Sequence, residues 1–178
     1  MKRSWLVVLS LVCCLVASSA SAIVINDIKG YYLGALGGYS QLEAGEFDES
    51  AISYGVYGGY YFSKNFAVET AYVMTDNYVD VGDVTADHFS FAAKFHHYFS
   101  NTYSMFIKAG AASTKVKSDA DYDGVGWLWG AGLNMAFSNN INVRLAYEML
   151  YTDLDTNGVD ERVESDLGNV YLGIHYQF

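Results

Sequence analysis

From residue 30 onward, apolar side chains recur at every second position rather than every third or fourth. The stretch "NVYLGIHYQF" puts Val170, Leu172, Ile174, Tyr176 and Phe178 on one face, with Asn169, Tyr171, Gly173, His175 and Gln177 on the other. "GWLWGAGLNMAF" does the same, setting Trp127, Trp129, Ala131, Leu133, Met135 and Phe137 against Leu128, Gly130, Gly132, Asn134 and Ala136. In "HFSFAAKFHHYF", Phe89, Phe91, Ala93, Phe95 and Phe99 oppose His88, Ser90, Ala92, Lys94 and His96. In "INVRLAYEMLY", Val143, Leu145, Tyr147, Met149 and Tyr151 oppose Asn142, Arg144, Ala146 and Glu148. Alternation of this kind marks strands, and it predicts eight: 30–42, 51–62, 66–74, 88–99, 103–112, 126–137, 141–151 and 169–178.

The connections alternate in size. Ser63-Lys64-Asn65, Ser100-Asn101-Thr102 and Ser138-Asn139-Asn140 read as tight turns, whereas 43–50, 75–87, 113–125 and 152–168 read as long loops. Short turns on one side and long loops on the other are the layout of an outer-membrane barrel, and strands of about ten residues suit a tilted span. The chain contains no proline, which fits strands that donate every ladder hydrogen bond. A soluble lipocalin-like barrel also alternates, but its outward face is polar. Here one face is almost wholly apolar or aromatic, while the other carries Glu69, Lys94, Lys108, Arg144 and Glu148 among glycines and alanines. Charges belong inside and aromatics outside when the exterior is lipid. The predicted fold is therefore all-β, an eight-stranded antiparallel up-and-down transmembrane β-barrel.

Ahead of the alternating region, Lys2 and Arg3 precede an apolar run from Trp5 to Val16, and Ala20-Ser21-Ala22 offers small residues before Ile23. This is the pattern of a secretory signal over residues 1–22, cleaved before Ile23. The run is too short for a good membrane-spanning helix. Both cysteines, Cys13 and Cys14, lie inside it, and Val12 suits a lipoprotein acylation site poorly. Residues 23–29 are then a short N-terminal periplasmic segment and 30–178 the barrel domain. Without residues 1–22 the chain has eight basic and twenty acidic residues, a net charge of −12. That balance argues against nucleic acid and against electrostatic docking to anionic lipid.

The segments "YYLGALGGYS", "YGGYYFSKNFAVETAY" and "YLGIHYQF" together resemble the small eight-stranded barrels of Gram-negative outer membranes, the family of outer membrane proteins A and X. The resemblance covers residues 30–178. It implies an integral protein of the cell outer membrane, exported through the periplasm and expected as a monomer, with outer-membrane lipid and lipopolysaccharide as its surroundings. It also implies assembly by the barrel-assembly machinery, reading a C-terminal signal of Ile174, Tyr176 and above all Phe178. The periplasmic peptidoglycan-binding domain of some relatives is expected to be absent. Glu69, Lys94 and Arg144 occupy positions like those of the interior network in outer membrane protein A. That protein's other interior carboxylate corresponds here to Asn134, leaving Glu148 to take its role.

By parity Glu69, Lys94, Lys108, Arg144 and Glu148 point into the lumen, and buried charges must be paired, so one interior ion-pair network is expected. An eight-stranded barrel is filled by side chains, which favours plugging over a gated conductance. Outward aromatics near the strand ends, including Tyr31, Tyr39, Trp127, Trp129, Tyr151, Tyr176 and Phe178, are expected to form two interfacial girdles. His88 and Ser90 form an H-x-S pair beside Asp87, but parity turns both inward, away from any lipid substrate. The doublet His96-His97 points to opposite faces and makes no two-ligand metal site.

The long connections carry seventeen of the twenty acids against Lys115, Lys117 and Arg162, a net of −14. Beside anionic lipopolysaccharide such a crown calls for divalent cations, and hard oxygen ligands suit Ca²⁺ or Mg²⁺. "DLDTNGVDERVE", Asp153 to Glu164, fits the spacing of a twelve-residue calcium loop, with Asp153, Asp155, Asn157, the Val159 carbonyl and Glu164 as ligands. Its flanks read as strands rather than helices, Asp160 stands where that loop has a hydrophobic residue, and Asn157-Gly158 equally suits a type I′ hairpin turn. "DADYDG" at 119–124 begins the same pattern without the closing glutamate. No other cofactor is expected. These readings predict a non-enzymatic outer-membrane barrel with long acidic extracellular loops, serving envelope integrity and surface interactions. The alternatives are a narrow ion-conducting porin-like channel and a lipid A-modifying enzyme.

Overall fold

The computed structural model describes residues 29–44, 47–76, 85–117, 121–156 and 159–178, and the side chains of these except at 42–49, 121–122 and 153–165. The proposed signal and nearly all of the segment 23–29 lie outside the described residues. The strands are β1 (Gly30–Ala44), β2 (Phe47–Ser63), β3 (Phe66–Thr75), β4 (Thr85–Tyr98), β5 (Tyr103–Lys117), β6 (Asp121–Ala136), β7 (Ile141–Thr156) and β8 (Val159–Gln177). They close into one barrel in chain order, each antiparallel to the next. β8 returns to β1 from Tyr32↔Gln177 to Glu43↔Asp166, so neither edge is left open.

Which way each side chain faces follows the pleat. Leu172 is 51% exposed while its neighbour Tyr171 is 1% exposed, and Phe91 is 56% exposed beside Ala92 at 2%. The outer wall carries Leu33, Val56, Ile107, Leu133 and Ile174, and a surface this apolar is stable against hydrocarbon, not water. Near the ends of the wall the aromatics gather. Trp127 and Tyr151 face each other across β6 and β7 with ring centroids 4.5 Å apart, and Tyr31 packs edge-on against Tyr60 at 4.8 Å. Such rings sit where one side is apolar and the other wet.

The three tight turns share one local chemistry. Ser63 Oγ accepts from the Phe66 N–H at 3.2 Å, Ser100 Oγ from Tyr103 at 3.0 Å, and Ser138 Oγ from Ile141 at 3.1 Å. A serine opening each turn therefore satisfies the backbone donor that closes it.

At the opposite end the structure corrects the expected loops. β1 and β2 remain paired as far as Ala44↔Phe47, β5 and β6 as far as Lys117↔Asp121, and β7 and β8 as far as Thr156↔Val159. Three of the four connections read as long loops are thus mostly ladder, and only the segment after Thr75 keeps its length. The reason is environmental: above the membrane both sheet faces are wet, so the apolar alternation stops although the hydrogen-bonded register continues. β8 runs seven residues from Val159 before reaching Asp166, which pairs with Tyr151 at the level of the Trp127–Tyr151 stack. That extension is about 23 Å along the strand.

The residues of the candidate calcium loop fall partly on the same ladder. Asp153 pairs with Glu164, and Asp155 with Arg162, on adjacent antiparallel strands. The first and last residues of the motif are thus cross-strand partners on β7 and β8. Asn157 and the side chains of Asp153, Asp155, Val159 and Glu164 lie outside the described residues. Among the described residues, no group of three or more His, Cys, Asp or Glu side chains is placed to hold a metal ion.

Candidate functional site

The lumen holds one buried charge cluster. Glu69 comes from β3, Lys94 from β4, Lys108 from β5, and Arg144 with Glu148 from β7. Lys94 and Lys108 are direct partners across the β4–β5 ladder. Like charges placed opposite each other are unfavourable, and Glu69 resolves the conflict from the adjoining strand β3, diagonal to Lys94 in register. Its Oε2 receives Lys94 Nζ at 3.0 Å and its Oε1 receives Lys108 Nζ at 3.0 Å. Arg144 Nη1 donates to the same Oε2 at 2.6 Å, and so does the Tyr32 hydroxyl at 2.8 Å. Lys108 also reaches Glu148 Oε1 at 2.6 Å, and the Tyr171 hydroxyl donates to that oxygen as well.

Aromatic faces complete the packing around the cations. The Arg144 guanidinium lies 3.4 Å from the centre of the Tyr57 ring, and Lys94 Nζ lies 4.1 Å from that of Phe106. With water excluded, such contacts are worth about 2 kcal/mol. Two glycines make the close approaches feasible. A Cβ on Gly130 would stand 2.8 Å from Glu148 Cγ, on the strand between Lys108 and Glu148. One on Gly59 would stand 2.6 Å from Tyr32 Cζ and push that ring from Glu69.

The structure brings together all five ionisable residues named from the sequence. It adds Tyr32, Tyr57, Tyr171 and Phe106, which sequence reasoning did not assign to the site. The available signal was parity: Tyr171 falls on the inward face of β8, yet a tyrosine in a barrel strand is equally a girdle residue. Asn134 is buried but stands outside the cluster, with Nδ2 directed to Asn142 Oδ1 at 3.5 Å. Glu148 supplies the second carboxylate.

Polar side chains fill the lumen above and below the cluster. Toward the hairpin end, Ser53 Oγ donates to Asn169 Oδ1 at 2.8 Å, and Thr114 and Thr152 meet at 3.4 Å. His88 and Ser90 lie there too, 1% and 2% exposed, and both face the lumen. Neither reaches the lipid-facing surface, so the H-x-S pair is lining. Toward the turns, Tyr61 pairs with His96 at 3.1 Å and Tyr57 with His175 at 3.0 Å. His97 faces outward beside Phe99. The residues expected at the C-terminal end, Ile174, Tyr176 and Phe178, form one outward row, and the Phe178 N–H donates to the Tyr31 carbonyl at 2.9 Å across the seam.

Solved structures with the same architecture are small outer-membrane barrels. Neisserial surface protein A superposes with a TM-score of 0.73 at 16% identity, covering 84% of this chain and 97% of that one. Ail, the attachment invasion locus protein of Yersinia pestis, in complex with the heparin analogue sucrose octasulfate, gives 0.58 at 20% identity over 84% and 99%. OprG of Pseudomonas aeruginosa gives 0.57 at 13% identity over 84% and 97%. At these identities the likeness shows the fold. No curated protein matches the sequence. The model of the outer membrane protein beta-barrel domain matches residues 10–178. The chain therefore belongs to the outer membrane protein beta-barrel family, as an integral protein of the Gram-negative outer membrane.

Proposed function

We propose that this protein is a non-enzymatic, sealed barrel that presents acidic hairpins at the cell surface, contributing to envelope integrity and to contacts with lipopolysaccharide, ions or host molecules. The observation that carries this reading is the plug: Glu69, Lys94, Lys108, Arg144 and Glu148 are all 3% exposed or less, bonded to one another across the lumen. A conducting path would have to break several charge-assisted hydrogen bonds in a low-dielectric interior. Residues 1–22 serve as the export signal, Ile174, Tyr176 and Phe178 as the assembly signal, and the barrel works as a monomer.

The hairpins direct the search for partners. Ail was solved with the heparin analogue sucrose octasulfate, an anion. The extracellular segments of this chain carry seventeen acids and three cations, so they repel polyanions and favour basic surfaces or cation-bridged ones. A deletion strain should gain sensitivity to detergent and lose adhesion to cationic, not heparin-like, surfaces.

A second reading, a narrow ion-conducting pore, is favoured by buried polar atoms without partners at three heights among the described residues: His88 and Asn169 above the cluster, Arg144 within it, and His96 and His175 below. Planar-bilayer recording separates the two. The sealed barrel gives a flat current trace, and reproducible single-channel steps from the purified protein would replace it with the pore.

A further inference from the structure

The charges of the interior cluster do not balance. Lys94, Lys108 and Arg144 bring three cations, whereas Glu69 and Glu148 bring two carboxylates. One positive charge is therefore left over where the side chains are 3% exposed or less. An uncompensated charge is the costly arrangement in a low-dielectric interior.

Arg144 is where the surplus resides. Both lysine ammonium groups sit on carboxylate oxygens, but Arg144 commits only Nη1, to Glu69. Its Nε and Nη2 are buried and have no acceptor among the described residues. These two nitrogens lie on one edge of the guanidinium plane. Their N–H bonds run parallel there, forming the fork with which arginine holds an anion. Two rings already lie against the cation, with Tyr57 at 3.4 Å and Tyr171 at 5.2 Å from Cζ to ring centre. A ring face attracts the cation but offers no lone pair to an in-plane N–H. Charge, hydrogen bonding and geometry thus ask for the same thing at the same edge.

We infer that the lumen holds one small anion of the halide class on the Nε–Nη2 edge of Arg144, which brings the cluster to three charges of each sign. The competing occupant is a water bridging this edge to Asn134 Oδ1, an unpartnered acceptor on the cross-strand neighbour of Arg144. Such a water satisfies the hydrogen bonds and leaves the charge unmatched. The halide site is independent of whether the barrel conducts.

The test uses the barrel purified in detergent and exchanged into chloride, bromide or gluconate at equal ionic strength. Gluconate is too large for the filled lumen. The temperature at which the folded band is lost on gels should be higher in either halide by roughly 3 °C, the shift expected when a ligand binds only the folded state. Lys94→Met removes the surplus charge while keeping contact with Phe106, and it should abolish the difference. Crystals grown in bromide should show an anomalous peak at the Nε–Nη2 edge. Equal stability in all three salts, or a halide effect that persists in Lys94→Met, would overturn the site. If that variant does not fold, the bromide crystals decide: an occupied edge supports the site and a peak-free edge removes it.

Discussion

Glu69 accepts at once from Tyr32, Lys94, Lys108 and Arg144, so four strands other than its own neighbour β2 depend on one carboxylate. Replacing it by glutamine keeps the volume and removes the charge, taking from Lys94 and Arg144 the carboxylate they share. Breaking a buried pair from one side costs about 3–5 kcal/mol, and Glu69→Gln should lower the urea midpoint of the folded barrel accordingly. An unchanged midpoint would mean that the cluster is no fastener. At this scale parity made the inward direction of each charge legible, but the partners were not. Lys94 and Lys108 are adjacent in register, which in isolation implies repulsion. Register on β3 sets Glu69 beside them, and only closure of the barrel adds Arg144 and Tyr32 to the same carboxylate.

A strand of this barrel crosses two solvents along its length, and the same substitution should have different costs in each. On β6, Leu133 lies between Trp127 and Phe137, near the middle of the apolar wall, while Val125 stands beyond Trp127 on the hairpin side. Leu133→Arg should destabilise the barrel by about 2–4 kcal/mol and Val125→Arg by about 0–1 kcal/mol, read from unfolding in lipid vesicles. Equal effects would contradict the placement of the membrane. At the far end, Phe178→Ala should leave refolding in detergent unchanged, because the bond to Tyr31 is made by the backbone, yet lower the amount assembled in the outer membrane of cells. Normal levels in cells would remove Phe178 from the assembly signal. Strand ends inside the membrane were legible from the alternation and the serine turns. Those above it were not, since polar residues on both faces read as loop.

As a whole the molecule is electrically lopsided, with seventeen of its twenty acids toward the hairpin end, which the proposed function sets beside an anionic leaflet. If divalent cations screen that repulsion, EDTA should make the hairpins more sensitive to protease in intact outer membranes, and added Mg²⁺ should restore protection. If cleavage were indifferent to EDTA, the hairpins would not depend on such screening. The amino-acid sequence by itself determined the strand count, the lipid-facing side and the inward direction of the charges, because a pleat of period two writes burial directly into residue order. Tertiary structure decided the rest. The pairing of Glu69 with Arg144 and Tyr32 and the unmatched edge of Arg144 depend on strands distant in sequence, while the ladders beyond the apolar wall depend on backbone pairing that polar residues on both faces do not announce. The contacts of Glu69 to Arg144 and Tyr32 exist only once β8 has closed on β1.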